Sequence, residues 1–162
     1  MVGCETAHWL ANEYGKNVTV LEMLPHFMMG VCTANRGHLL HYLEKLGVRL
    51  YNCTKVKALA KDGVYVEQNQ SQTVPDPYNT WQPLLPPKIP NPMEKAIKEE
   101  IVEKRIPADL IVLAMGGKAD ETFFFEAGEE HLAKEIYNIG DSSRAGRVLE
   151  AVRGAYHLAV RI

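Results

Sequence analysis

At 162 residues the chain is the size of one ordinary domain, long enough to bury roughly 70% of its unfolded surface and to fold around a core without disulfide or metal staples. Its 18 Lys plus Arg against 20 Asp plus Glu leave a net charge of −2 and a pI near 6.3, which argues against a polyanion-binding surface and therefore against nucleic acid as a partner. Apolar residues make up 46%, charged residues 23%, and no apolar run approaches the ~18 residues of a membrane span, so a soluble globular protein is expected.

Cys4, Cys32 and Cys53 lie 28 and 21 positions apart, with no C-x-x-C pair and no histidine at ligand spacing, so neither a structural zinc nor an iron–sulfur cluster is written in the chain. Three buried thiols are expected instead. The odd count, with no leader pattern at Met1, points to a reducing compartment and a cytoplasmic location.

In chain order, Thr6, Ala7, Leu10, Ala11 and Tyr14 form one helical stripe from the first residues, and Gly15 stops it. Asn17–Glu22 follows after a tight join, β-branched and ending in an acid, as a short parallel strand does. Residues 33–46 carry Leu39, Leu40, Leu43 and Leu46 at helical spacing before Gly47. Val48–Asn52, Lys55–Ala60 and Gly63–Glu67 read as strands, the last two joined at an Asp62–Gly63 turn into a small antiparallel excursion.

Residues 69–93 hold seven of the nine prolines and show no period, the mark of a surface loop or linker. Met93–Lys104 is charged and compatible with an exposed helix or an edge strand. Ala108–Met115 is a continuous apolar run before Gly116–Gly117, the form of a central parallel strand whose end opens into a ligand-binding loop. Ile136–Asp141 reads as a further strand, and Arg147–Ile162 as an amphipathic helix that docks through Val148, Ala151, Val152, Ala155, Leu158 and Ala159. The alternation of strand and helix implies an α/β fold, a Rossmann-like doubly wound parallel sheet with a small antiparallel excursion.

Gly3 stands at the mouth of the first helix, and Glu22 ends the next strand nineteen positions on. In dinucleotide folds the third fingerprint glycine allows close helix–strand packing, and an acid about 20 residues later accepts the adenosine ribose hydroxyls. One glycine is no fingerprint, and many α/β proteins end a second strand in Glu.

Gly3-Cys-Glu-Thr-Ala7, Leu10-Ala11, Gly15 and Val18-Thr-Val-Leu-Glu22-Met23 resemble the nucleotide-binding stretch of two-dinucleotide-domain oxidoreductases. The closest resemblance is to the C-terminal FAD/NAD(P)-binding domain of the NADH:flavin oxidoreductase and 2,4-dienoyl-CoA reductase family, related to trimethylamine dehydrogenase, where the stretch reads G-G-G-x-V-G-C-E-T-A. Ala108–Gly116 resembles the strand leaving that family's NAD domain, Ile139-Gly140-Asp141 its flavin-binding I-G-D motif, and Glu150-Ala151-Val152 with Gly154 its closing helix. Against the family, the first strand and two fingerprint glycines are missing, the usual P-N pair appears as Ala119–Asp120, and the insertion 69–93 has no counterpart.

The resemblance implies residues 1–118 as a truncated NAD-binding-like domain and 119–162 as the return segment of a flavin domain. It implies Gly3 at the helix mouth, Glu5 near the nicotinamide end, Glu22 on the adenosine ribose, Gly116 and Gly117 lining the pocket, and Gly140 with Asp141 against the flavin ribityl or pyrophosphate. NAD(H) is favoured over NADP because a carboxylate at position 22 repels a 2′-phosphate, although Lys16, His26 or Arg36 nearby would soften the preference. FAD belongs to the parent enzyme, and FMN and an iron–sulfur cluster to parts of it absent here. The reading is a nucleotide-binding fragment that positions NADH for hydride transfer to FAD in the parent, with no catalytic residue and no metal of its own and no NADH oxidation activity alone. Its partners are then a dinucleotide and the parent's upstream domains.

Blander readings stand beside these. Glu5 also suits a solvated first-turn acid, Asp141 a turn residue or helix cap, His38 and His41 a surface or core-edge role, and Phe123–Phe125 a packing patch. Two other functions remain open: a free-standing nucleotide-sensing or interaction module completed by a partner chain or a swapped copy, dimerising through an exposed sheet edge, and an unrelated Rossmann-like enzyme such as a methyltransferase.

Overall fold

The computed structural model describes residues 1–81, 89, 91–93 and 95–162. The chain divides into two compact units, Met1–Ala114 and Met115–Ile162. Together they give a mixed α/β fold of Rossmann-like type, with a parallel pair and a small antiparallel sheet in the first unit.

The first unit opens with helix α1 (Val2–Tyr14), which Gly15 ends in the left-handed conformation at φ 58° with its amide returned to the carbonyl of Leu10. Cys4, Ala7 and Ala11, spaced three and four apart, form its inward stripe, while Tyr14 stays exposed and meets Trp9 edge-on at 4.9 Å. Strand β1 (Thr19–Leu21) leads through a turn-rich segment into helix α2 (Thr33–Lys45) and strand β2 (Arg49–Tyr51). β1 and β2 pair in parallel, Thr19 opposite Arg49 and Leu21 opposite Tyr51, so β1–α2–β2 is one βαβ unit. Leu40 and Leu43 are completely buried, and with Val48, Leu50, Phe27, Met28, Cys4 and Ala7 they form the core. Each such leucine contributes on the order of 1.5–3 kcal/mol by leaving water.

Strands β3 (Thr54–Ala60), β4 (Gly63–Asn69) and β5 (Ile101–Pro107) form the antiparallel sheet in that order. The hairpin turn is Lys61–Asp62, with Gly63 already in the ladder opposite Ala60, one residue earlier than the composition indicates. Val64 and Val66 point inward while Tyr65 is exposed, the alternation of a one-sided sheet. The Lys104 ammonium lies 4.5 Å over the Tyr51 ring and joins this sheet to the parallel pair. The charged segment 93–104 therefore ends as an edge strand, in keeping with the edge's tolerance for charge.

Three expectations are corrected. Ala108–Met115 joins no ladder: it is extended and open, with Leu110 73% and Met115 88% exposed. An apolar run states a demand for burial, but a strand exists only where a neighbour supplies the other half of its hydrogen bonds, and among the described residues none flanks it. Ile136–Ile139 is likewise unpaired and runs into a single 3-10 turn at Gly140–Ser142. Of the three cysteines only Cys4 is buried; Cys53 is half-buried and Cys32, the residue capping α2, stands outside the helix and is exposed.

In the second unit, helix α3 (Thr122–Glu129) carries Phe123–Phe125, and helix α4 (Val148–Ala159) closes the chain. The α4 residues expected to dock are not buried, and of the whole unit only Ala127 is buried. So short a unit has little interior to offer. Asp120 accepts the Thr122 amide at 3.0 Å and its hydroxyl at 2.6 Å at the entrance to α3, which is what stands where the resembling family has its P-N pair. Among the described residues no helix is long and apolar enough to cross a membrane. The proline-rich insertion is described only in part: Pro83, Pro86, Pro87 and Pro90 lie outside the described residues.

At the start of α4 the Glu150 carboxylate accepts the Arg147 amide at 3.1 Å and faces the Arg147 guanidinium, which holds its pKa down to about 2. A depressed carboxylate stabilises the helix start above its unfolded value near 4.3 and loses that contribution as pH falls through about 2. NMR titration of the Glu150 side-chain carbon should show a midpoint close to 2, with fraying of the first turn of α4 over the same range; a midpoint near 4.3 would contradict the pairing.

Candidate dinucleotide-binding site

Gly3, Glu5 and Glu22 belong to the first unit. Glu22 is the first residue after β1, at the carboxyl end of the parallel pair, where open α/β sheets bind ligands. Its amide donates to the Tyr51 carbonyl and its carbonyl accepts from Thr54, both at 2.9 Å. One carboxylate oxygen accepts the Leu24 amide at 2.9 Å, which seats the half-buried side chain at the sheet crest.

Gly3 lies in the first turn of α1. The amides of Cys4 and Glu5 return to the Met1 carbonyl at 2.9 and 3.1 Å, whereas the first amides of any helix have no intrahelical partner and face out from its mouth. Burial pushes the Cys4 thiol above its ordinary value, against the pull of the α-amino group, and the charges of Glu22 and Glu5 raise it further. Gly3, Cys4 and Glu5 occupy the first turn of α1, and Glu22 follows β1 in the same unit. Glu5 itself is an exposed first-turn acid, favoured there by the helix dipole.

Gly3 has a packing reason of its own. A Cβ built on it would lie 2.9 Å from the Ala114 Cβ, too close for two carbons, so Ala114 stands against the first turn of α1. Sequence spacing does not reveal this partner, since 111 residues separate the two.

Gly116, Gly117, Gly140 and Asp141 belong to the second unit. Gly117 faces Ala145 at 3.8 Å from an ideal Cβ and Asp141 accepts the Gly146 amide at 3.2 Å, both at the turn spanning 140–146, while Gly116 meets open space. Asp141 thus staples a turn, while the cap of α4 is Arg147.

Of the cations near position 22, Arg36 is turned away: it is 3% exposed and donates to the carbonyls of Phe27 and Asn79 at 2.9 and 3.1 Å. His38, His41 and His8 gather around the Tyr42 ring at centroid distances of 4.7, 5.8 and 5.9 Å, a core-edge aromatic group. Two open concavities of about 380 and 230 Å³ lie on the antiparallel sheet, one beside Lys57 and Arg105, the other beside Cys53 and Glu99; neither is lined by Gly3, Glu5 or Glu22.

The chain matches the pyridine nucleotide-disulphide oxidoreductase family over residues 1–145. It is 26% identical over all 162 residues to an NADH oxidase of Thermoanaerobacter brockii, covering 20% of that protein. Among solved structures, 2-naphthoyl-CoA reductase superposes with a TM-score of 0.70 at 25% identity, over 99% of this chain and 20% of that one. The 6-hydroxypseudooxynicotine amine oxidase of Pseudomonas geniculata N1 shares the fold alone, with a TM-score of 0.68 at 15% identity over 98% of this chain and 20% of its own. The chain thus belongs to the pyridine nucleotide-disulphide oxidoreductase family, flavin oxidoreductases that bind FAD and NAD(P), and spans about a fifth of the length of these relatives.

The Gly3–Ala114 contact is testable without ligand. Gly3→Ala should cost about 1–3 kcal/mol in urea unfolding, and Ala114→Gly in the same chain should recover most of it. A Gly3→Ala chain as stable as the parent would show that Ala114 does not press on Gly3.

Proposed function

We propose that this chain is the pyridine-nucleotide-binding portion of a flavin-dependent NADH oxidoreductase, of the kind that includes 2,4-dienoyl-CoA reductases. The observation that carries the reading is the Glu22 carboxylate, fixed at the carboxyl end of a parallel pair. Its residues suit the group: a carboxylate is an acceptor for a ribose diol, and helix-mouth amides are donors for a pyrophosphate. The family match over 1–145 and the NADH oxidase relative support nucleotide binding.

In this reading Glu22 holds the adenosine ribose, Gly3 lets the backbone approach the pyrophosphate, and Glu5 faces the nicotinamide end. In the second unit taken by itself, Gly116 and Gly117 are assigned a pocket-lining role, and Gly140 with Asp141 the flavin ribityl or pyrophosphate. The first unit supplies the NAD-binding part and the second the return to a flavin domain. NADH is preferred over NADPH because the Glu22 charge repels a 2′-phosphate, and Arg36, held by backbone carbonyls, does not offset it. When bound, the nicotinamide and flavin rings supply the redox chemistry; the residues of this chain bind and orient. FMN and an iron–sulfur cluster are assigned to other parts of the parent. Three free cysteines support a reducing, cytoplasmic setting.

Calorimetric titration of the chain tests the reading. NADH should bind more tightly than NADPH, and Glu22→Ala should weaken NADH roughly tenfold, the loss of a charged hydrogen bond, while leaving NADPH nearly unchanged. Equal affinities in both chains would remove Glu22 from the site. With NADH and FAD both added, absorbance at 340 nm should stay constant.

A second reading rests on a different observation: among the described residues β1 has a strand on one edge only, and the apolar run 108–114 is unpaired. A strand from a partner chain or a second copy added at the β1 edge would make an interaction module. Sedimentation velocity distinguishes the two, since a monomer at all concentrations excludes self-pairing.

A further inference from the structure

β2 is paired with β1 along one edge only, yet its other edge is not left open. Along a strand, backbone groups of successive residues face opposite edges. The Arg49 amide faces β1 and donates to the Val18 carbonyl at 3.0 Å, so the Val48 carbonyl and the Leu50 amide face away. In a parallel ladder, one residue of the next strand would donate to the first of these and accept from the second.

The Tyr78 hydroxyl does both: it donates to the Val48 carbonyl at 2.7 Å and accepts from the Leu50 amide at 3.2 Å. A phenol has one proton and two lone pairs, so a single oxygen can play both parts. Val48 and Leu50 are 1% and 3% exposed, which leaves little room for water to do it instead.

We infer that Tyr78 closes the outer edge of β2 by standing in for one residue of a neighbour strand, so that a further strand is refused there. The segment that carries Tyr78 is tied down on both sides. Before it, Asn52 donates to the Pro75 carbonyl at 2.8 Å, and the Asp76 carboxylate accepts the Tyr78 amide at 3.0 Å. After it, the buried Arg36 guanidinium donates to the Asn79 carbonyl at 3.1 Å. A neutral carbonyl cage around a buried cation is a costly arrangement, and here it serves to hold residues 75–80 against β2. Residues 75–80 thereby gain a role independent of nucleotide binding: they seal one edge of the parallel pair.

Amide hydrogen exchange followed by NMR on the 162-residue chain tests this. In Tyr78→Phe the Leu50 amide should exchange at least ~10-fold faster, while the Arg49 amide, bonded to β1, should change less than ~2-fold. A Leu50 rate that does not change, or that rises only in step with Arg49, would overturn the inference. Should the variant not fold, the unmodified chain decides: a slowly exchanging Tyr78 hydroxyl proton with a cross-peak to the Leu50 amide is expected, and its absence overturns the assignment.

Discussion

The parallel pair β1–β2 has only three rungs, and all that is placed at its crest depends on its being held by groups outside its own ladder. A two-stranded sheet of that length is marginal in water unless packed and tied. The packing comes from Leu40 and Leu43 of α2 and the Cys4 and Ala7 stripe of α1. The tying comes from buried polar groups. The Asn52 amide donates to the carbonyls of Pro25 and Pro75 at 2.7 and 2.8 Å, and Arg36 joins the segment after β1 to the insertion through Phe27 and Asn79. Removing one such partner leaves a buried group unsatisfied, which costs more than the bond itself contributes.

That frame also fixes Glu22 at the end of β1. Its backbone is clamped by Tyr51 and Thr54 and one carboxylate oxygen by Leu24, so the side chain is oriented before any ligand arrives. The second unit is of another kind, with exposed apolar residues on α3 and α4 and turns closed by Asp120 and Asp141.

Much of the first unit was legible in the sequence. The helical stripe ending at Gly15, the leucines of α2, the β-branched strands and the antiparallel hairpin are local patterns whose periods are set by backbone geometry. The placement of Glu22 at a strand end was legible for the same reason, since strand length and tight connection fix it. The apolar runs at 108–115 and 136–139 were misleading because hydrophobicity reports what a segment would bury, whereas a ladder needs a second strand at 4.8 Å or so. Arg36 reads in sequence as a free cation near a nucleotide, and its capture by three distant carbonyls has no local signature.

By itself, then, the sequence determined the order and type of the helices and strands from α1 to β4 and the acid that follows β1, because each depends on neighbours within a turn or a strand. Only the tertiary structure decided that Gly3 is pressed by Ala114, that Tyr78 closes β2, and that 108–114 lies open, because each depends on groups more than 27 positions apart meeting, or failing to meet, in space.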